Sequence, residues 1–422
     1  MQLVERHIIK KVHKFWSEID QLCFASKNLY NLANYNVRLG FIQGGIISNY
    51  NLLDKVLKNT TEYRSLPAKV SQQTLRNLDQ NWKSFLAAIK EWSRQKDKFS
   101  GRPSLPNYKP KSGRHLAIYT AQAVSIPLLR KGIIKLSGTD ISIPTSVKEE
   151  QLAQVRIVPM SCCYVIEVVY EKQESAPLKD SADKIAALDL GLNNLAALTS
   201  NQPSFQPILI NGRPLKSINQ FFNKRRAALQ KQLRGKKSKS GRLTRLTHSR
   251  NQKVNDYLHK ASNLIVKELL KAGIDTLVIG QNSDWKRDCN LGKRNNQNFV
   301  SIPHGKLIKM LTYKGNLGGI KVFITEESYT SKASFLDLDF LPVYGQKTAN
   351  TSFSGKRICR GLYRNQSGQI INADVNASYN ILRKAFPEAF SYGIESCVVQ
   401  PRLVTPTKVK TKGEAVMSPK TM

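Results

Sequence analysis

Negative charge is what this 422-residue chain has least of: 30 Asp and Glu stand against 66 Lys and Arg, a formal net charge of +36. A surplus that large exceeds what solubility needs and favours a polyanionic partner, nucleic acid first among them. Cysteine pairs are missing too. The six cysteines, Cys23, Cys162, Cys163, Cys289, Cys359 and Cys397, form no C-x-x-C motif, so neither a disulfide framework nor a zinc site announces itself and the thiols read as reduced. No apolar run reaches the roughly 20 residues of a membrane span and no lipidation signal is present, so membrane binding is not expected. The start "MQLVERHIIKKVHKFW" lacks the long apolar segment of a secretory signal, and a cytoplasmic protein is expected, associated with the nucleoid in a prokaryote. There is no internal repeat.

What is present divides into two halves. Residues 1 to 12 read as a strand, and Phe15, Ile19, Leu22, Ser26, Leu29 and Ala33 recur at helical spacing. A second helix starts near Pro67, with Leu75, Leu78, Trp82, Phe85, Ile89 and Trp92 on one face. After a basic loop rich in Gly and Pro, "GIIKLSGTDISIP" and "QVRIVPMSCCYVIEVVYEK" read as antiparallel strands of a barrel or sheet that the helices interrupt and the N-terminal strand completes. The polar stretch "QESAPLKDSADK" marks the boundary to the second half. There, an apolar strand over 184–200, a pair of basic helices, a long helix from Val254 ending near Gly273, and strands "IDTLVIG" and "IKVFITEE" alternating with helices predict an α/β layer with a mostly parallel core. Beyond Pro401 the tail is poor in large apolar residues and is expected to be disordered.

Within 184–200 the one carboxylate is Asp189, and the next acid along the chain is Asp256. A charge in a buried strand needs a proton, a partner or a metal ion. Taken singly, each acid has an ordinary explanation: Asp189 before Leu-Gly satisfies a turn, Asp374 caps the last helix by accepting from Asn376 or Ala377, and Glu326 and Glu327 at the end of "IKVFITEE" are solvated. Together they sit at the ends of two strands and the start of the terminal helix, where α/β sheets gather functional groups. Three such carboxylates suit Mg²⁺, with Mn²⁺ as the alternative, and two ions about 3.5–4 Å apart hydrolyse phosphodiesters.

The stretches "ALDLGLNNLAAL", "TLVIGQNSDWKRD", "TEESYTSKAS" and "RGLYRNQSGQIINADVNASYNILRKA" resemble, in order and spacing over 184–385, the RuvC-type nuclease half of the TnpB family, transposon-encoded RNA-guided DNA endonucleases related to compact type V CRISPR effectors. The first 180 residues are similar in layout only. The resemblance implies α/β plus α+β architecture. A β-barrel (WED-like) domain would take 1–12 and 97–176, a helical recognition (REC-like) insert 13–96, and an RNase H-like (RuvC) nuclease domain 177–400. The nuclease domain would carry a basic helical insert at 214–272 and a degenerate zinc ribbon at 330–372, with 401–422 as a disordered tail. It further implies a guide RNA from the transposon end, a double-stranded DNA target with a short flanking motif, and Mg²⁺-dependent cleavage, with Asp189 as first metal ligand and Asp374 as last.

Two departures from the family pattern follow. Where the second catalytic Glu stands in the usual pattern, this chain has Gly280. Glu327 is favoured as its replacement from the neighbouring strand, with Glu326 the alternative, and a nuclease-inactive RNA-guided DNA binder of repressor type stays open. A transposase acting on transposon ends is the other rival. Where ribbon cysteines are usual, Ala333 and Ser334 stand, so no zinc is expected and Phe335, Leu338 and Tyr344 are expected to hold the segment. Candidate phosphate contacts are Lys224, Arg225, Arg226, Lys236, Lys237, Lys239, Arg242 and Arg245. Tyr108 in "PNYKPK" is the candidate for stacking on a base, whereas Trp82 and Trp92 share the apolar stripe and are expected in the core. Trp285 and Lys286 are placed near the active site, and His304 as a cap or core residue.

Overall fold

The structure, a computed structural model, describes residues 1–45, 47–177, 183–203, 205–233, 240–282, 292–343 and 352–406. The chain divides into two compact units, Met1–Gln173 and Glu174–Met422. No described helix is long and apolar enough to cross a membrane.

In the first unit, β1 (Gln2–Ile9) is followed by α1 (Trp16–Gly44), α2 (Tyr50–Leu57), α3 (Thr61–Arg64) and α4 (Ala68–Arg94). Then come β2 (Ala117–Thr120), α5 (Ile126–Arg130), β3 (Ile133–Lys135), β4 (Ser142–Pro144), β5 (Leu152–Pro159) and β6 (Tyr164–Glu171). Helix α1 buries Ile19, Leu22, Leu29, Ala33 and Val37 at three- and four-residue spacing and stops at Gly45, whose φ of 65° a side chain would resist. Helix α4 starts after Pro67 and buries Leu75, Leu78 and Trp82, with Trp82 Nε1 donating to Asn34 Oδ1 at 3.0 Å. Trp92, expected beside it in the core, is instead half-buried near the end of α4, with Lys96 Nζ 5.3 Å from its ring centre. The strands expected to form a barrel make a four-stranded antiparallel sheet in the order β1-β6-β5-β2, while β3 and β4 form a separate two-stranded hairpin. Strands and helices share one apolar core, from Ile19, Leu29 and Trp82 to Val155 and Ile166.

The second unit contains β7 (Ile185–Leu190), β8 (Asn194–Ser200), β9 (Ile208–Asn211), α6 (Arg213–Lys231), α7 (Gly241–Lys271) and β10 (Thr276–Gly280). After these follow α8 (Lys293–Ser301), α9 (His304–Leu317), β11 (Lys321–Thr325), β12 (Lys356–Cys359), β13 (Leu362–Arg364), β14 (Ile370–Asn372), α10 (Ala373–Ala385) and β15 (Arg402–Val404). The apolar run expected to be one strand is a hairpin: β7 and β8 pair antiparallel. Its turn needs Gly191, where a Cβ would lie 2.6 Å from the Asn194 carbonyl oxygen. The six-stranded sheet runs β11-β10-β7-β8-β9-β15. It is mixed rather than mostly parallel, since β7-β8-β9 alternate in direction while β10 is parallel to both β7 and β11. Alternation comes from the short hairpin turns, which can join only antiparallel neighbours, whereas β10 and β11 are reached through helices. The C-terminal half of α7 is no free insert: Val254, Leu258, Ala261, Ile265 and Leu269 pack under the sheet with Leu188 and Ile279. The expected disordered tail is corrected at its start, because β15 pairs in parallel with β9; residues 407–422 lie outside the described ones.

Candidate active site

Helix α10 crosses the face of the sheet, and one serine fixes its height. The buried Ser378 hydroxyl lies 3.0 Å from the Ala187 carbonyl oxygen, 3.1 Å from that of Ala197 and 2.9 Å from Thr199 Oγ1. Asp189 is two residues beyond Ala187 and Asp374 one turn before Ser378, so this contact draws the two carboxylates to the same end of β7. Asp374 is not the helix cap expected from its position. Asn372 caps α10, accepting from Asp374 N at 3.0 Å and Val375 N at 3.2 Å, which leaves the Asp374 carboxylate free to face the site. There it accepts from Asn194 Nδ2 at 2.8 Å and faces Arg357 Nη2 at 3.5 Å.

The third acid arrives from the neighbouring strand. Register brings Gly280 level with Asp189, one step past the Ile279/Leu188 pair, and pairs Gly280 with Thr325. Glu327 lies two residues beyond Thr325 and folds back over Gly280: a Cβ added there would sit 2.7 Å from Glu327 Oε2 and 2.5 Å from Ile381 Cδ1. The carboxylate of Glu327 thus fills the space in which a side chain at 280 would begin. Its Oε2 is buried and has no hydrogen-bond partner. Glu326 is engaged otherwise, in an ion pair with Lys384 and accepting from Ser328 N at 2.6 Å.

The loop that carries Glu327 is held by polar residues on successive turns of α10. Asn376 Oδ1 accepts from Phe335 N at 2.9 Å and its Nδ2 donates to Ala333 O at 2.7 Å. Asn380 donates to Ala333 O and Thr330 O, and Lys384 to Ser328 O and Pro342 O. Spacing of four residues puts all three on one helix face. Carboxylates staple the segment that carries Ala333 and Ser334: Asp337 accepts from Ser354 Oγ, Asn365 Nδ2 and Gln366 N, and Asp339 from Ser334 N and Ser354 N. Phe335 is fully buried and stacks on Tyr379 at 4.3 Å. Leu338, expected to help hold the segment, is about half exposed at a φ of 51°, and Tyr344 lies outside the described residues.

Electrostatics mark the acids as a strained group. Asp189 is deeply enclosed by protein, with only part of its surface open to solvent. Its carboxyl is pushed well above the usual range by burial first, then by the charges of Asp374 and Glu327, with Arg357 and the Leu190 N–H acting the other way. Burial, and then the charge of Glu326, push Glu327 up to about 7. For Glu326 burial also acts upward, but hydrogen bonds from Lys384 and Ser328 outweigh it and hold the group low. Carboxylate oxygens are the donor type a hard divalent cation takes, and Glu327 offers a buried, unpartnered one, but Asp189, Glu327 and Asp374 do not bring one oxygen each within 4.8 Å of one another.

Of the proposed phosphate contacts, Lys224, Arg225 and Arg226 are exposed on α6, and Arg242 and Arg245 are exposed on α7. Lys236, Lys237, Lys239, Trp285 and Lys286 lie outside the described residues. Tyr108, in the first unit, is 43% exposed with the Arg38 guanidinium 4.7 Å from its ring centre. His304 is fully buried, its Nε2 3.0 Å from Gly191 O, a core role that also braces the turn after Asp189. Asn194, Arg357 and Lys384 were not singled out in the sequence. Asn194 stands close after Asp-Leu-Gly, yet nothing local distinguishes it from a turn residue.

Residues 167–286 match the family model OrfB_IS605, described as "Probable transposase". Residues 304–381 match the one described as "Cas12f1-like, TNB domain". A TnpB-like protein of Methanocaldococcus jannaschii, MJ0751, is 30% identical over 177 residues, 40% of this chain and 57% of that protein. TnpB-like protein ORF457 of Acidianus two-tailed virus is 25% identical over 227 residues, 51% of this chain and 45% of that protein. The chain spans about half the length of these curated relatives. Among solved structures, the mini-RNA-guided endonuclease CRISPR-Cas_phi3 aligns at a TM-score of 0.46 and 10% identity, covering 91% of this chain and 92% of that one. A Cas12f1-sgRNA-target DNA complex aligns at 0.35 and 16% identity, covering 90% and 98%. Two family models matched in succession and two TnpB-like relatives make residues 167–381 of this chain similar to TnpB-type proteins.

Proposed function

We propose that this protein is an RNA-guided DNA endonuclease of the TnpB type, cutting DNA phosphodiester bonds with Asp189, Glu327 and Asp374 as ligands of Mg²⁺, or of Mn²⁺ in its place. The observation that carries the reading is Glu327 seated in the space above Gly280 with a buried, unpartnered oxygen. A nuclease-inactive binder is the reading that Gly280 alone invites, and the substitute carboxylate argues against it. The ion pair of Glu326 with Lys384 favours Glu327 over Glu326 as the substitute. When bound, the cations supply an activated water and stabilise the leaving oxygen. The chain's own residues set the geometry: Ser378 holds α10 on the sheet, Asn194 orients Asp374, and Asn376 and Asn380 hold the loop that presents Glu327.

In this reading the guide RNA pairs with the target and the protein reads shape, phosphates and a short flanking motif of the double-stranded DNA. The sheet and helices of the first unit serve as its WED-like and REC-like parts, and the second unit as the RuvC-like nuclease. Exposed Lys224, Arg225, Arg226, Arg242 and Arg245 contact phosphates, and Tyr108 offers a ring to a base. Such a protein works beside the chromosome, in the cytoplasm of a prokaryote. The test is incubation of the purified ribonucleoprotein with target DNA and Mg²⁺. Cuts that vanish in Asp189→Ala support the reading. Target binding without cuts in the unaltered protein overturns the nuclease, and strand-transfer products with no bound RNA replace it with a transposase.

A further inference from the structure

A cavity of about 480 Å³ opens directly beside Asp374, lined by Asn193, Asn194, Arg213, Arg357, Arg360 and Asn372 among others. Three guanidiniums gather there next to an acidic cluster. Only Arg357 reaches both: its side chain, 48% exposed, stands 3.5 Å from Asp374 Oδ1 while it also lines the cavity. At 3.5 Å an Arg–carboxylate contact is an ion pair without the short hydrogen bonds that would lock it, so the pair is exchangeable. A divalent cation bound by Asp374 would repel the same guanidinium, and an anion in the cavity would attract it.

We propose that Arg357 is the resident counter-cation of the carboxylate cluster, competing with divalent cations for Asp374, and that a phosphodiester of a nucleic-acid strand entering the arginine-lined cavity draws it off, so that strand and metal load together. The proposal rests on the metal-site reading given above. Arg213 and Arg360 complete the phosphate seat without touching the acids, which separates their role from that of Arg357. Energetic coupling of this kind is reciprocal: if the strand tightens the metal, the metal tightens the strand by the same factor. Arg357 is a positioning residue here, acting through Asp374 and the phosphate.

The experiment is calorimetric titration of Mg²⁺ into the full chain, with and without a phosphorothioate-linked single-stranded DNA, each protein compared with its Asp189→Ala counterpart so that only ions at this site count. Arg357→Ala is expected to bind Mg²⁺ about two- to fivefold more tightly than wild type in the absence of DNA, the range of a partly exposed ion pair. The tightening that DNA brings to wild type should shrink in Arg357→Ala and return in Arg357→Lys. Arg360→Ala should leave Mg²⁺ affinity without DNA unchanged while lowering the slope of log K for DNA against log salt by about 0.7. Unchanged or weaker Mg²⁺ binding in Arg357→Ala, or an undiminished effect of DNA, overturns the proposal. If Asp189→Ala binds Mg²⁺ as wild type does, the metal-site reading itself falls.

Discussion

Gly280 and Glu327 are one decision made at two positions. A side chain at 280 and the Glu327 carboxylate cannot share the space, because a Cβ would come within 2.7 Å of Oε2 and 2.5 Å of Ile381 Cδ1. Both neighbours are ends of side chains, so Gly280→Ala should still fold. It should instead displace Glu327, and cleavage by the ribonucleoprotein is expected to drop by about tenfold or more, the sensitivity expected when a catalytic group is shifted by as little as 1 Å. Glu327→Gln keeps the shape and removes the charge, and cleavage should fall by at least about 10²-fold. Glu326→Gln should leave the rate within about fivefold, since Lys384 rather than the site holds that residue. Equal losses in the two glutamine variants, measured in single-turnover assays, would remove the distinction between them.

Between β11 and α10, polar side chains tie one turn of the chain to the next strands. Asp337 gathers donors from Ser354, Asn365 and Gln366, tying the 334–339 turn to the β12–β13–β14 sheet across long stretches of chain. Replacing it with alanine is expected to cost about 1–3 kcal/mol of unfolding free energy, the range for hydrogen bonds to a charged group. Burial acts to raise the Asp337 carboxyl, but hydrogen bonds from Ser334, Gln366, Ser354 and Asn365 outweigh it, so its folded-state value lies below the ordinary one. A lowered acid stabilises above its unfolded value and loses that contribution as pH falls through the folded value. The gap in stability between wild type and Asp337→Ala should therefore be full near pH 7 and close below about pH 4, as followed by denaturant unfolding. A zinc chelator should leave the unfolding temperature of the wild type unchanged.

Over the whole molecule, the net charge of +36 governs what the surface attracts. Exposed arginines and lysines on α6 and α7 have few acids near them in sequence, because none occurs between Asp189 and Asp256. Binding to RNA or DNA should weaken linearly in log K against log salt. Removing Arg225 and Arg226 together should lower the slope by about 1.4–1.8 and weaken unrelated sequences equally; a sequence-selective loss would mean that these residues read bases. Purification at low salt should bring a discrete RNA with the protein.

Much of this was legible along the chain. The helical stripes of α1 and α4 and the apolar run around Asp189 are local patterns of period 3.6 or unbroken hydrophobicity, which burial alone enforces. Asp189 stands out because a charge in such a setting demands a partner, and Asp374 because it opens the terminal helix. Other features depend on elements meeting in space. The hairpin within 184–200, the strand β15 in a tail expected to be disordered, and the half-buried Trp92 follow from which neighbour each segment found. The different surroundings of Glu326 and Glu327 are also tertiary: two adjacent glutamates carry the same sequence signal, and the space over Gly280 that Glu327 fills and the Lys384 of α10 that pairs with Glu326 set them apart. Sequence determined that acids are few and placed at element ends; packing of α10 on the sheet decided which of them meet, because convergence of residues 185 positions apart is a property of the fold and of no local stretch.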